Sequence, residues 1–371
     1  MVQAGGNRFT TCLFLGRTGG GLRSKPLSCC VSRRKKPSIL FEEDMMLNTL
    51  FKDAGPGRSE AWVDVTTLST GNEVRIPVIL LRGAHEGPTL YIGAVMHGTE
   101  LNGIGVMMKL LASVDVGELA GKLLMVPVQN PIAFQHKTHE LPTEVYHVSS
   151  ANVYTAFPGS PLGDISDRIA YALFQLVLSS DYAIDLHTGG TSSNYLAQTF
   201  CFFSGGQHGE TARELAKVFG TPVVIDKESG LWVRENMFHE AARSQGVPTF
   251  GAELGTGGCL ESDFVEKGYQ GIVNVLRYLK MLPGLPEPNP GQVVIDQILP
   301  LTASQGGIVE HCVELGARVT RGQTIARIYN LHLAAIEDLQ APEDGIVYVQ
   351  SRYPTVNGGE EEVVVVGVPK G

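Results

Sequence analysis

Four residues of the chain carry the side-chain types that hydrolytic metal chemistry needs: His97, Glu100, His187 and Glu253. The first two lie in Gly93-Ala94-Val95-Met96-His97-Gly98-Thr99-Glu100-Leu101-Asn102-Gly103, where an apolar strand gives way to a helix. Three residues apart across such a turn, a neutral imidazole and a carboxylate can converge on one cation. That spacing is also common on solvated helices, so the pair gains meaning only from a second histidine. His187 ends another short strand, in Ala183-Ile184-Asp185-Leu186-His187-Thr188-Gly189-Gly190. Two histidines and one carboxylate form a ligand set for catalytic zinc, with the fourth position left to water. His97, Glu100 and His187 are therefore expected to hold one Zn2+ per subunit. A water activated in this way needs a base that later serves as an acid for the leaving group. Glu253, ending a third apolar strand in Gly251-Ala252-Glu253-Leu254-Gly255, is expected to fill that role. Asp185 either hydrogen-bonds a ligand imidazole from behind or is a structural rim carboxylate.

Such side chains must be delivered by strands that end on one rim of a sheet. From about Trp62 the sequence alternates apolar strands with helical stretches, the rhythm of a mixed, mostly parallel α/β sheet flanked by helices. Strands are expected at 74–81, 89–95, 122–128, 183–186, 222–225 and 249–254. Helices are expected at 104–112, 166–178, 210–218, 237–244 and 265–282. Four prolines within 283–290 cannot continue a helix and predict a stiff linker. It separates a catalytic domain at 46–282 from a small C-terminal β-domain at 291–371, with strands at 307–313, 323–328, 345–349 and 362–368. This last region resembles the lipoyl and biotinyl carrier module. No lysine occurs between Gly306 and Ser351, so it lacks the attachment residue a carrier needs. A structural role is expected instead, capping the site or building a homo-oligomer.

A net charge of −9 argues against a nucleic-acid partner, which requires a clustered basic face, and favours small molecules. No apolar run approaches the length of a membrane span. Six cysteines without CxxC spacing read as reduced thiols of a cytoplasmic protein. Residues 1–45 stand apart: Arg8, Arg17, Arg23, Lys25, Arg33, Arg34, Lys35 and Lys36 precede the first acidic residue, Glu42. A disordered extension is expected here, either an organelle-targeting segment or translated upstream sequence. The glycines at 19–21 lack the Lys-Ser/Thr of a phosphate loop, and no G-x-S-x-G elbow marks a serine hydrolase.

The ordered series HGxE with a following Asn-Gly, Asn130-Pro131, Phe157-Pro158-Gly159, Asp185-Leu186-His187 and Glu253-Leu254-Gly255 resembles the succinylglutamate desuccinylase and aspartoacylase family, a branch of the zinc carboxypeptidase-like fold. The resemblance spans about residues 60 to 368. It implies a mostly parallel sheet between helices, one zinc at the positions named, and hydrolysis of an N-acyl amide by metal-activated water. Members carry an Asn-Arg pair before the Phe-Pro-Gly that holds a substrate carboxylate, whereas this chain reads Asn152-Val153-Tyr154-Thr155-Ala156. Where the resemblance places an arginine against the oxyanion after the Asn-Pro, His139 stands, with Lys137 as a competitor. By the same comparison Asn130, Tyr154 and His139 are the candidates for substrate or oxyanion contact, with charge supplied by Arg234 or Lys227 from another loop. Rival readings are a carboxypeptidase, a degenerate paralogue and a non-catalytic zinc-binding protein. A guanidinium forks onto a carboxylate as Tyr and Thr cannot. In a substrate panel, neutral N-acyl amines are therefore expected to outrun acetyl-aspartate and succinyl-glutamate. Clear preference for the two acids would remove the inference from the lost arginines.

Overall fold

A computed structural model of the chain describes residues 45–52, 54–201, 206–226, 234–359 and 362–371. Lys227, one of the two proposed charge donors, and the basic segment 1–44 lie outside the described residues. Helix α1 (Met45–Leu50) is followed by strands β1 (Gly57–Thr67), β2 (Glu73–Arg82) and β3 (His85–Ala94), helix α2 (Asn102–Ser113) and strand β4 (Ala120–Val126). Helices α3 (Pro131–His136) and α4 (Ile165–Leu178) precede β5 (Tyr182–His187), β6 (Ser193–Tyr195) and β7 (Gln198–Phe200). The α/β region continues with α5 (Gly206–Phe219), β8 (Val223–Ile225), α6 (Phe238–Ser244), β9 (Thr249–Glu253) and α7 (Ser262–Tyr278).

Strand register explains how the sequence sorts itself. Adjacent residues point to opposite faces of a sheet, and here both faces are buried. Leu80, Tyr91, Leu124 and Ala183 pack with α4 and α6 on one face. Leu81, Leu90, Leu123 and Ile184 pack with α2, α5 and α7 on the other. Continuous apolar strands are what a parallel sheet covered on both sides demands. The sheet runs β1-β2-β4-β3-β5-β9-β7-β8 and onward into the C-terminal strands. Strands β4, β3, β5 and β9 are mutually parallel, so the carboxyl ends of β3, β5 and β9 lie side by side.

The C-terminal residues comprise β10 (Val293–Thr302), β11 (Gly307–His311), β12 (Arg318–Val319), β13 (Thr324–Tyr329), β14 (Ala335–Gln340), β15 (Gly345–Ser351), β16 (Thr355–Val356) and β17 (Glu362–Pro369). A four-stranded sheet takes β14-β13-β11-β16, while β17, β15 and β12 extend the main sheet. The expected small β-domain is thus joined to the catalytic sheet: β10 runs parallel to β8, and β15 pairs with β6. Residues 42–371 form one compact unit. Strand β10 escaped the sequence reading because Asp296 and Gln297 interrupt its apolar run. The final α/β helix was read as 265–282 but ends at Tyr278, because Lys280 adopts φ 59° and the Met281 amide turns back to Leu276 O. Among the described residues no helix is long and apolar enough to cross a membrane.

One side chain ties the β3 turn to the β9 turn. Asn102, fully buried at the start of α2, donates to Leu254 O at 2.6 Å and to Glu261 Oε2 at 3.1 Å, and accepts from Glu261 N at 2.8 Å. Glu261 Oε2 in turn accepts from Thr256 N at 2.8 Å. Removing such an amide strands its buried partners, at roughly 1–3 kcal/mol for each unsatisfied group. Asn102→Ala is expected to lower unfolding stability by about 2–4 kcal/mol, read by urea denaturation.

Candidate metal centre

The turn after β3 is tight and unusual. Val95 is buried yet sits at φ 57°, a left-handed conformation that a β-branched residue adopts only when its surroundings impose it. The imposition is visible: Ala94 O and Val95 O accept the amides of Gln129 and Asn130 at 2.9 and 3.0 Å. Gly98 then passes so close to Ala133 that an added Cβ would lie 2.1 Å from its carbonyl carbon. This turn carries His97 and Glu100 inward over the end of β5. In β5 and β9, His187 pairs directly with Glu253.

The three expected ligands converge. One donor atom from each of His97, Glu100 and His187 lies within 4.8 Å of the others, and all three residues are buried. His97 Nδ1 stands 3.1 Å from Glu100 Oε1, and His187 Nδ1 2.9 Å from Glu100 Oε2. The far nitrogen of each ring is occupied. Nε2 of His187 lies 2.7 Å from Asp185 Oδ2 and Nε2 of His97 lies 3.1 Å from Asn152 Oδ1. Both oxygens are acceptors: Asp185 is a carboxylate, and Asn152 Oδ1 also receives the Tyr154 amide at 3.0 Å. With their N–H groups committed to these acceptors, both rings turn an Nδ1 lone pair toward a carboxylate that has only lone pairs to offer. A proton or a cation between them resolves that opposition, and the arrangement fits a metal ion. Burial alone would raise the Glu100 pKa, but His97 and His187 hold it down at about 2. His187 is lowered by burial and raised further by Asp185 and Glu100, ending well above its usual value.

Asp185 stands behind the His187 ring, on the side away from Glu100. It is itself held: Gln129 Nε2 donates to its Oδ1 at 2.6 Å, and Tyr91 OH donates to Gln129 Oε1 at 2.7 Å. His239 Nε2 lies 3.6 Å from its Oδ2. Asp185, His187 and His239 form a second buried group with ligand-like spacing, but there the His187 Nε2 is the atom already hydrogen-bonded. Neither Gln129, Asn152 nor His239 was assigned a role from the sequence. Asn152 flanks Tyr154 in the variant motif, and Gln129 precedes the Asn-Pro, so both lie next to positions that were noticed.

Glu253 reaches the same rim with its Oε2 buried and unpartnered among the described residues. Burial first, then the charge of Glu100, push its pKa well up, against a smaller opposing effect of His187. A cavity of about 280 Å³ opens beside it, lined by His97, Tyr154 and His187 and walled by aromatic and aliphatic side chains. The Tyr154 ring stands edge-on to His187, centroids 5.7 Å apart, with its hydroxyl 3.2 Å from His239 Nδ1.

The remaining candidates fall elsewhere. Asn130 caps α3, accepting from Ala133 N at 3.0 Å and donating to Met96 O at 3.3 Å, so its amide is spent on the turn that presents His97. Arg234 is exposed and does not line the cavity. His139 stacks on His97 with centroids 4.0 Å apart, its side chain 48% exposed. Partial burial, then neighbouring His97, bring its pKa down to about 4, leaving a neutral ring where a cation was expected. Lys137, its competitor, is the exposed left-handed C-cap of α3.

A mixed sheet whose rim brings two histidines and two glutamates together beside an open cavity is the architecture of a hydrolytic α/β enzyme. Residues 86–279 match the succinylglutamate desuccinylase/aspartoacylase catalytic domain, and the chain belongs to that family, whose members act on amide bonds. It is 28% identical over 364 residues to the N-alpha-acetyl-L-2,4-diaminobutyric acid deacetylase of Halomonas elongata, covering 94% of this chain and 97% of that protein. Two solved structures share the fold. A succinylglutamate desuccinylase from Silicibacter sp. TM1040 superposes with a TM-score of 0.75 at 22% identity, over 85% of this chain and 96% of that one. The product-bound ectoine utilization protein EutE (DoeB) of Ruegeria pomeroyi gives 0.74 at 23% identity, over 85% and 96%.

The Asp185 contact predicts a measurable loss. Asp185→Asn keeps the shape but removes the charge that fixes the His187 ring, and metal affinity should fall about 10- to 100-fold in a chelator competition titration.

Proposed function

We propose that the chain is a zinc-dependent deacylase that hydrolyses the amide bond of a small N-acylated amine or amino acid. The observation that carries this reading is the unpartnered Oε2 of Glu253 beside three converging ligand atoms. His97, Glu100 and His187 would hold the zinc, which when bound supplies Lewis acidity to a water and to the substrate carbonyl.

The protein's own residues account for the proton traffic. Glu253, made basic by burial and by the nearby charge of Glu100, accepts a proton from water at the cavity floor. The water oxygen adds to the acyl carbon, the carbon–nitrogen bond breaks, and Glu253 returns the same proton to the departing nitrogen. Asp185 and Asn152 keep both ligand rings oriented throughout. Tyr154 walls the cavity where family members carry a carboxylate-binding pair, and no Lys or Arg lines the cavity among the described residues. A substrate with a less acidic or differently oriented amine half suits that wall. The Halomonas relative, named for an acetylated diamino acid, gives a precedent of this kind. Free thiols at Cys201, Cys259 and Cys312 support a reducing, cytoplasmic setting.

Glu253→Ala should retain zinc by metal analysis while kcat on N-acyl substrates falls by about 10²- to 10⁴-fold. Chelation should abolish wild-type turnover and added zinc restore it. An active zinc-free protein would refute the scheme, and zinc binding without turnover of any N-acyl amide would make it a binding protein.

A further inference from the structure

The cavity wall facing away from the metal ligands comes from the C-terminal strands, and it carries a charge that the proposed hydrolysis leaves unused. Glu362, the first residue of β17, lines the cavity together with Tyr195 of β6 and Tyr348 of β15. We propose that Glu362 is a specificity-determining residue that receives a positively charged amino group on the substrate, a reading that rests on the deacylase function above.

Three observations carry it. Glu362 is exposed to solvent on one side and lines the cavity on the other, and it forms no ion pair among the described residues; partial burial raises its pKa. A partly desolvated carboxylate with no compensating partner is stabilised by any ligand that brings a cation. Aromatic residues share its cavity: Tyr195 and Tyr348 line the same wall, and ring faces attract ammonium groups electrostatically. His187, Glu253, Tyr195 and Glu362 line the same cavity, so a molecule that fills it can place an amide beside the first two and an ammonium beside the last. A divalent ion at the ligand set would offset Glu100 and Glu253 and leave Glu362 as the unanswered charge of the cavity. An acidic substrate would meet it as a like charge.

The test compares Nα-acetyl-2,4-diaminobutyrate with Nα-acetyl-norvaline, in which a methyl group replaces the ammonium. The wild type should favour the cationic substrate in kcat/KM by about tenfold or more, the worth of a charge-assisted hydrogen bond. Glu362→Gln should erase that preference by lowering kcat/KM on the cationic substrate alone, with zinc content and thermal melting unchanged. Glu362→Asp, which keeps the charge, should retain the preference. Equal losses on both substrates, or none on either, overturn the proposal. If the wild type hydrolyses neither, the deacylase reading is judged separately, by turnover of any other N-acyl amide. Calorimetric titration with free 2,4-diaminobutyrate then decides: about tenfold weaker binding by Glu362→Gln supports the ammonium site, and unchanged binding removes it.

Discussion

Glu100 is a carboxylate buried at 2% exposure, and such a group persists in a protein interior only if its charge is answered. The answer is a proton or cation held between it and two imidazoles, which must themselves be fixed in place. His97 needs Asn152, His187 needs Asp185, and Asp185, buried completely, needs Gln129, which leans on the Tyr91 hydroxyl in the middle of β3. Each buried polar group recruits the next until the series ends in the hydrophobic core. Partly satisfied networks of this kind are costly, whereas fully satisfied ones rigidify their surroundings. Rigidity of the ligand set is thus a by-product of solvating one anion without water.

The parallel register of β3, β5 and β9 makes this possible. Side chains at the carboxyl ends of adjacent parallel strands share one rim, and pairing His187 with Glu253 fixes the base against a ligand. The strained Val95 belongs to the same constraint: the chain must leave β3 sharply for His97 and Glu100 to return over β5.

Much of this was legible in the sequence, for reasons that also explain the remainder. Apolar runs ending in His or Glu before glycines identify strand ends, which is local information, so His97, Glu100, His187 and Glu253 were found together. Asn130 was misread in spite of a local signal: Asn followed by Pro is a helix start, with Asn as cap and Pro at the first helical position. The partners Gln129, Asn152 and His239 are set by tertiary contact across 56, 55 and 54 residues, where no periodicity reaches. Glu362 lies farther away still. The join between β8 and β10 was hidden behind prolines that do stop a helix but do not stop the next strand from entering the sheet.

That join has a consequence for assembly. The candidate ligands and the candidate base all lie by residue 253, but the cavity wall also takes Ile298, Tyr348 and Val365. Residues that could bind an ion thus precede, along the chain, several of those that shape the pocket for one substrate against others. The order of the chain separates acquiring chemistry from acquiring selectivity, and the second is supplied by strands that contribute no ligand to the first.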